Sequence, residues 1–241
     1  SDIFFRVISQ AREPDKIPTR FLTWSDGELL LQLVEERYRA GRDPNTPGSD
    51  LWRKYFERTT RGMPTREYMA SRVLPRPRDI LYLANAAIDS AVRHRREKVT
   101  SADVLEAERQ YSQFAFEALL VEGSGDVREL EDLLFEFAGA DEILTMSDLV
   151  ETISKSSSHR DVTTVLDQLV ALSFLGREVH EGAFEFAENP RDRKRLDAVA
   201  RGFATSRGAD ARYRIHPAYQ AYLNVAASDS VRQQAMQMPS S

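Results

Sequence analysis

Two arginines flanking a proline are the side chains of this sequence whose spacing most directly suggests chemistry. In Arg76-Pro77-Arg78-Asp79, preceded by Pro75, the backbone is restricted twice within three residues, and a long amphipathic pattern begins immediately after. Both guanidiniums are therefore expected at a helix N-terminus, where unpaired N–H groups and the helix dipole favour an anion. A guanidinium fork suits bidentate contact with phosphate. It suits a carboxylate equally well, and Asp79 and Glu108 are within plausible reach in sequence. The residues alone leave the phosphate and carboxylate partners evenly weighted.

Other reaction classes find no residues to carry them. The 241-residue chain has no cysteine, which removes disulfides, thiolate metal sites and a cysteine nucleophile. The four histidines, His94, His159, His180 and His216, are not paired at a metal-ligand spacing. There is no G-x-x-x-x-G-K-[ST] phosphate loop, no G-x-S-x-G elbow and no H-E-x-x-H helix. Acidic neighbours such as Glu35-Glu36 read as a solvated helix face, His216 as a packing histidine, and Trp24 and Trp52 as core anchors. The chain is expected to have no active site of its own and to bind no metal.

The elements that must position the arginines follow from periodicity. With 41% hydrophobic and 29% charged residues, the chain can bury real cores. Ser25, with Glu28 three residues on, predicts a capped helix carrying Leu29, Leu30, Leu33 and Val34 and ending near Gly41. A turn-rich stretch over 43–49 leads to a short helix with Leu51, Trp52, Tyr55 and Phe56, and a further helix is expected over 65–73. The clearest pattern runs over 78–96, where Ile80, Leu81, Leu83, Ala84, Ala87, Ile88 and Ala91 share one face and a basic cluster closes the last turn. Thr100 with Asp103 forms a second capping box, opening a helix to about Val121. Residues 3–9 read as helix and 19–24 as a short strand.

Gly123-Ser124-Gly125 reads as a hinge, and the charge changes across it. Residues 1–125 hold 20 basic and 19 acidic side chains, whereas the remainder holds 13 and 19, within an overall formal charge of −5. After the hinge the expected order is a helix over 127–138, a strand at 143–145, a helix capped by Ser147, a helix over 161–172, and strands at 174–179, 184–186 and 212–216. Helix, short strand, two helices and a strand ribbon is the order of a winged helix-turn-helix. The charged stretch over 190–211 reads as an insertion in the wing with a short helical pattern, 219–223 as the start of a closing helix, and 226–241 as a frayed tail.

The stretch R-P-R-D-I-L-Y-L-A-N-A-A-I-D-S-A, followed by V-T-S-A-D-V-L-E-A-E-R-Q-Y-S, resembles the helical lid of bacterial AAA+/STAND-type P-loop ATPases. Ser1-Asp2-Ile3-Phe4 resembles the segment that follows the sensor-1 strand in a subgroup of them, and W-S-D-G-E-L-L-L-Q-L-V-E-E-R resembles the start of the lid. The resemblance covers most of residues 1–122 and implies that 1–24 are a remnant of the ATPase core and 25–122 the lid; the order of elements assigns 126–225 to a winged-helix domain. It implies that Arg78, assisted by Arg76, senses nucleotide phosphate, and that ATP and Mg2+ belong to a core that this chain lacks. The Pro75-Arg76-Pro77 run departs from the family's small-residue turn and leaves open which arginine reaches phosphate. The expected fold is mainly α, a helical lid followed by a winged helix with a small β-ribbon.

The expected function is that of a nucleotide-state-sensing regulatory module, partnered by the missing core and by a protein partner or a second copy. A stand-alone winged-helix DNA-binding regulator and a structural assembly subunit are the alternatives. For DNA, the candidate contacts are Arg160, Arg191, Arg193, Lys194 and Arg195. The would-be recognition helix also carries Asp161 and Asp167, which would repel phosphate, so protein contact is favoured. With no signal peptide and no apolar run near the ~20 residues that span a bilayer, a cytoplasmic protein without membrane contact is expected.

Overall fold

The computed structural model describes residues 24, 26–43, 45–123, 126–156, 161–187 and 190–226, with backbone alone for 190–192. The expected helix over 3–9 and strand over 19–23, the tail over 227–241, and Ser25, Ser124 and Gly125 lie outside the described residues.

The chain is mainly helical. Helix α1 spans Gly27–Arg39 and is capped by Asp26, whose carboxylate accepts from Glu28 N at 2.9 Å. The expected Ser25 cap thus moves one residue, because an aspartate at the boundary serves the free N–H groups equally well. Helix α2 (Asp50–Tyr55) leads into a small hairpin, β1 (Thr59–Thr60) and β2 (Met63–Pro64), then α3 (Thr65–Ser71). The hairpin was not legible in sequence. Its turn places Arg61 and Gly62 at φ of 49° and 78°, and arginine is an unusual residue for the first of these positions.

Helices α4 (Pro77–Arg93) and α5 (Ser101–Glu122) form the main packed pair of this half. Their apolar stripes bury Ile80, Leu83, Ala84 and Ala87 against Val104, Ala107, Tyr111 and Ala115. Helix α4 stops at Arg93, so most of the expected basic last turn lies in the connection, where Arg95 takes a φ of 55°. The capping box at Thr100 and Asp103 is present in both directions. Asp103 is fully buried, and its carboxylate also accepts from Ser90 Oγ at 2.8 Å and Arg96 Nη1 at 2.7 Å. Burial opposes its charge, but the bonds from Thr100, Arg96 and Ser90 prevail and hold it far below the usual carboxylate range.

The second half runs α6 (Val127–Phe135), β3 (Ile143–Thr145), α7 (Met146–Lys155), α8 (Val162–Ala171), β4 (Leu175–His180), β5 (Ala183–Glu185), α9 (Pro190–Arg207), β6 (Arg212–Ile215) and α10 (Pro217–Gln220). Four strands form one antiparallel sheet in the order β3-β6-β4-β5. Helix α7 is capped by Thr145 in a capping box with Asp148, not by Ser147. The insertion is a single 18-residue helix that runs through Gly202, with Leu196 and Ala200 buried before the glycine and Arg207 paired with Glu178 after it. The closing helix begins earlier than expected, at Pro217, whose fixed φ suits a first helical position.

One hydrophobic core runs through both halves. Phe116 of α5 meets Phe135 of α6 at 5.2 Å and Tyr222 at 5.1 Å between ring centroids. Ser112 Oγ accepts from Tyr222 N at 3.0 Å, and Arg72 joins buried Glu108 at 2.6 Å to Gln220 at 3.1 Å. At Gly123 an added Cβ would stand 2.4 Å from Leu130 Cδ2, so the glycine permits a close approach of α6 to the end of α5.

His216 is buried in this seam, with Nδ1 accepting from Ala218 N at 3.1 Å as the cap of α10. Burial, aided by Arg72, Arg214 and Arg76, pushes its pKa down to about 3. The folded state therefore binds the neutral ring, and the unfolded chain takes up a proton first. This contribution to stability is complete above about pH 6.5 and is lost as pH falls towards 3, at up to about 1.4 kcal/mol per pH unit. His216→Asn keeps a capping acceptor without the titration. Urea midpoints of this variant should fall less steeply between those pH values than those of the parent; an unchanged slope would contradict the assignment. Asp103→Ala, which strands Arg96 and the start of α5, should cost about 2–4 kcal/mol in denaturant unfolding. A loss below about 0.5 kcal/mol would show that the buried cluster contributes little.

Candidate functional site

The segment before α4 is fixed from both sides. Arg76 N donates to Leu74 O at 2.7 Å, and Leu74 N donates to the buried Tyr111 hydroxyl at 2.9 Å. Arg76 is the N-cap residue in extended conformation, without a side-chain cap, and Pro77 occupies the first turn. Proline lacks only an N–H that a helix start leaves free in any case. The two arginines consequently leave the same helix end.

Their environments differ. Arg76 grips Glu122, the last residue of α5, with both arms of its fork, Nη1 to Oε1 at 2.6 Å and Nη2 to Oε2 at 2.8 Å. Arg78 makes longer contacts, Nε to Asp79 Oδ1 and Nη2 to Glu122 Oε1, both at 3.3 Å, and its side chain is 56% exposed. Burial opposes the charge of Glu122, but Arg76 prevails and holds the carboxyl below its ordinary value. Asp79 goes the other way. Its side chain is buried, its Oδ2 has no hydrogen-bond partner, and burial raises its pKa despite Arg76 and Arg78.

The structure thus gives both arginines carboxylate partners. Asp79 was a foreseeable one. Glu108 is instead taken by Arg72 and the Tyr68 hydroxyl, and Glu122, 44–46 residues away, carried no local signal. What remains distinctive is access. Arg76 holds Glu122 through a bidentate pair, whereas Arg78, 56% exposed, reaches it only at 3.3 Å, so Arg78 is the more accessible of the two forks.

The nucleic-acid candidates are not brought to one place by contacts of their own. Arg160 lies outside the described residues, and Arg191 is described by its backbone in α9 alone. Arg193 is half-buried and Lys194 exposed, while Arg195 pairs with Glu185 at 2.7 Å. Helix α8 carries no basic residue. Its exposed side chains include Thr163 and Thr164, and Asp167 approaches Arg177 at 3.6 Å. The nearly buried Arg177, which sequence reasoning did not single out, also pairs with Asp197 at 2.7 Å and stands 5.3 Å from the Tyr213 ring centroid. Among the described residues, no group of three His, Asp or Glu could hold a metal ion, and no helix is long and apolar enough to cross a membrane.

Residues 28–120, from the first turn of α1 almost to the end of α5, match a family model described as a FunZ-associated C-terminal helical domain. The match covers the half that contains Arg76 and Arg78 and stops before β3 to β6. No curated protein and no solved structure matches the chain.

Proposed function

We propose that this chain is a regulatory, non-catalytic module of a P-loop ATPase, in which the first half is a lid that senses nucleotide state and the second a winged helix that makes protein contacts. The observation that carries the reading is the exposed, loosely held guanidinium of Arg78 beside Arg76 at the start of the 17-residue α4. Arginine donors at a helix N-terminus fit a nucleotide phosphate chemically, and Glu122 is a single carboxylate that a phosphate of higher charge can displace. ATP and Mg2+ would be held mainly by the core, which supplies the phosphate loop and the hydrolytic chemistry. Arg78 would stabilise charge on the terminal phosphate, with Arg76 as its neighbour. The match of residues 28–120 to a FunZ-associated C-terminal helical domain is compatible with such an accessory role.

The winged-helix reading rests on order and pairing. The order of helix α6, strand β3, helices α7 and α8, then β4 and β6, with β6 between β3 and β4, supports this reading. Strand β5 and helix α9 are additions to it. A recognition helix lacking any Lys or Arg is suited to a protein surface more than to a duplex groove.

The test joins the chain to its P-loop core and compares parent with Arg78→Ala. ATP turnover, or the nucleotide-dependent change in affinity for a partner, should fall roughly tenfold or more, as for loss of a donor to a charged transition state. Arg76→Ala should have the smaller effect. Unchanged turnover and unchanged nucleotide affinity in Arg78→Ala would overturn the proposal.

A further inference from the structure

Helix α9 concentrates positive charge in a chain whose net charge is −5. Residues 190–207 hold six basic and two acidic side chains. The arrangement of these charges is not that of a uniformly solvated helix. Asp197 turns inward, to the nearly buried Arg177 at 2.7 Å, and Arg207 at the far end reaches the buried Glu178 at 3.0 Å. Leu196, next to Asp197, and Ala200, between the two ion pairs, are buried, so the helix is fastened to β4. Breaking such buried pairs is costly, which keeps one face of α9 inward.

The outward face then carries Lys194 and Arg201, with Ala198, Gly202 and Thr205 beside them, and Arg195, which is paired with Glu185 of β5 at 2.7 Å. No carboxylate among the described side chains of α9 lies on that face. A Cβ added at Gly202 would meet nothing within 4 Å, so the backbone there is open to close approach. Lys194 and Arg201 are seven residues apart, about 10 Å along the axis at ~1.5 Å per residue. That is about three nucleotide rises of ~3.4 Å along one strand of a duplex.

We propose that the outward face of α9 docks on the phosphate backbone of duplex DNA, with α8 standing outside the groove. The acid-bearing α8 would be repelled by phosphate, whereas α9 presents cations over small side chains. A membrane surface is the poorer fit. An interfacial helix needs a broad apolar face turned to lipid. In α9 the apolar side chains Leu196 and Ala200 are used on the protein itself, and Val199 is the exposed large one. The contact is backbone-directed and sequence-tolerant, because no side chain on this face is placed to read a base edge in preference to phosphate. Since α9 and Arg78 lie in different halves, this inference and the nucleotide-sensing proposal can fail separately.

The test is fluorescence anisotropy of a labelled duplex against the whole chain at about 50 and 200 mM salt. The parent should bind, more weakly at higher salt. Lys194→Glu with Arg201→Glu should lower affinity at least roughly tenfold at the lower salt and reduce the salt slope by about two phosphate contacts. Both side chains are exposed, and an unchanged circular-dichroism spectrum would confirm folding. Thr163→Asp on α8 should change affinity less than about twofold. Absence of binding at low salt, an unaltered affinity in the α9 double variant, or a larger loss from Thr163→Asp would each overturn the proposal. So would a preference for anionic phosphatidylserine vesicles or a polyglutamate peptide over the duplex.

Discussion

The antiparallel pairing of α4 with α5 is the constraint on which the rest of the molecule depends. It is locked at both ends by charge. At one end the buried Asp103 draws in Ser90 and Arg96 while capping its own helix through Thr100. At the other, the Arg76 fork closes on Glu122. The two locks differ in solvent access. Asp103 is fully buried, and replacing it would leave several donors unsatisfied. The Arg76–Glu122 pair is bidentate but partly exposed, so solvent screens it more than it screens Asp103. The helix pair is thus closed by a buried cluster at one end and by a solvent-accessible ion pair at the other.

The same pair provides the floor on which the second half sits. Residues 217–223 lie against α5 through the Ser112–Tyr222 bond and the Phe116 ring, and Arg72 ties Glu108 to Gln220. His216, fixed by its role as a helix cap and kept neutral by burial, stands where these contacts converge. Polar groups inside a shared apolar seam are costly to leave unpaired, so they specify one arrangement of the two halves beyond what apolar contact alone would.

Much of the helical half was legible in sequence because its signals are local. The Thr100–Asp103 box, the apolar stripe beginning at Ile80 and the proline-stiffened start of α4 each lie within a few residues of the structure they specify. Caps were less certain where two candidates were close, as with Ser25 and Asp26 or Ser147 and Thr145. The length of α9 was missed because Gly202 interrupts the pattern, although anchoring at Arg177 and Glu178 overrides its low helix propensity. The site was half legible. The arginines were visible, but Glu122 belongs to a different helix and its approach depends on the antiparallel packing itself. The hairpin at Thr59–Pro64 had no alternating pattern to announce it.

The continuity of the core also constrains how the proposed nucleotide sensing could be transmitted. The glycines after α5 suggest a hinge in sequence, but at Gly123 the space for a side chain is filled by Leu130. The aromatic cluster of Phe116, Phe135 and Tyr222 spans the same junction. Separating the halves would expose these rings, Gln220 and His216 together, at a cost on the order of several kcal/mol. Displacing an exposed carboxylate from Arg78 releases far less. A ligand shifts a conformational equilibrium only by its difference in affinity for the two states. In the proposed mechanism the lid and the second half therefore move together as one body, so that a small change at the start of α4 is carried outward by rotation of the whole unit.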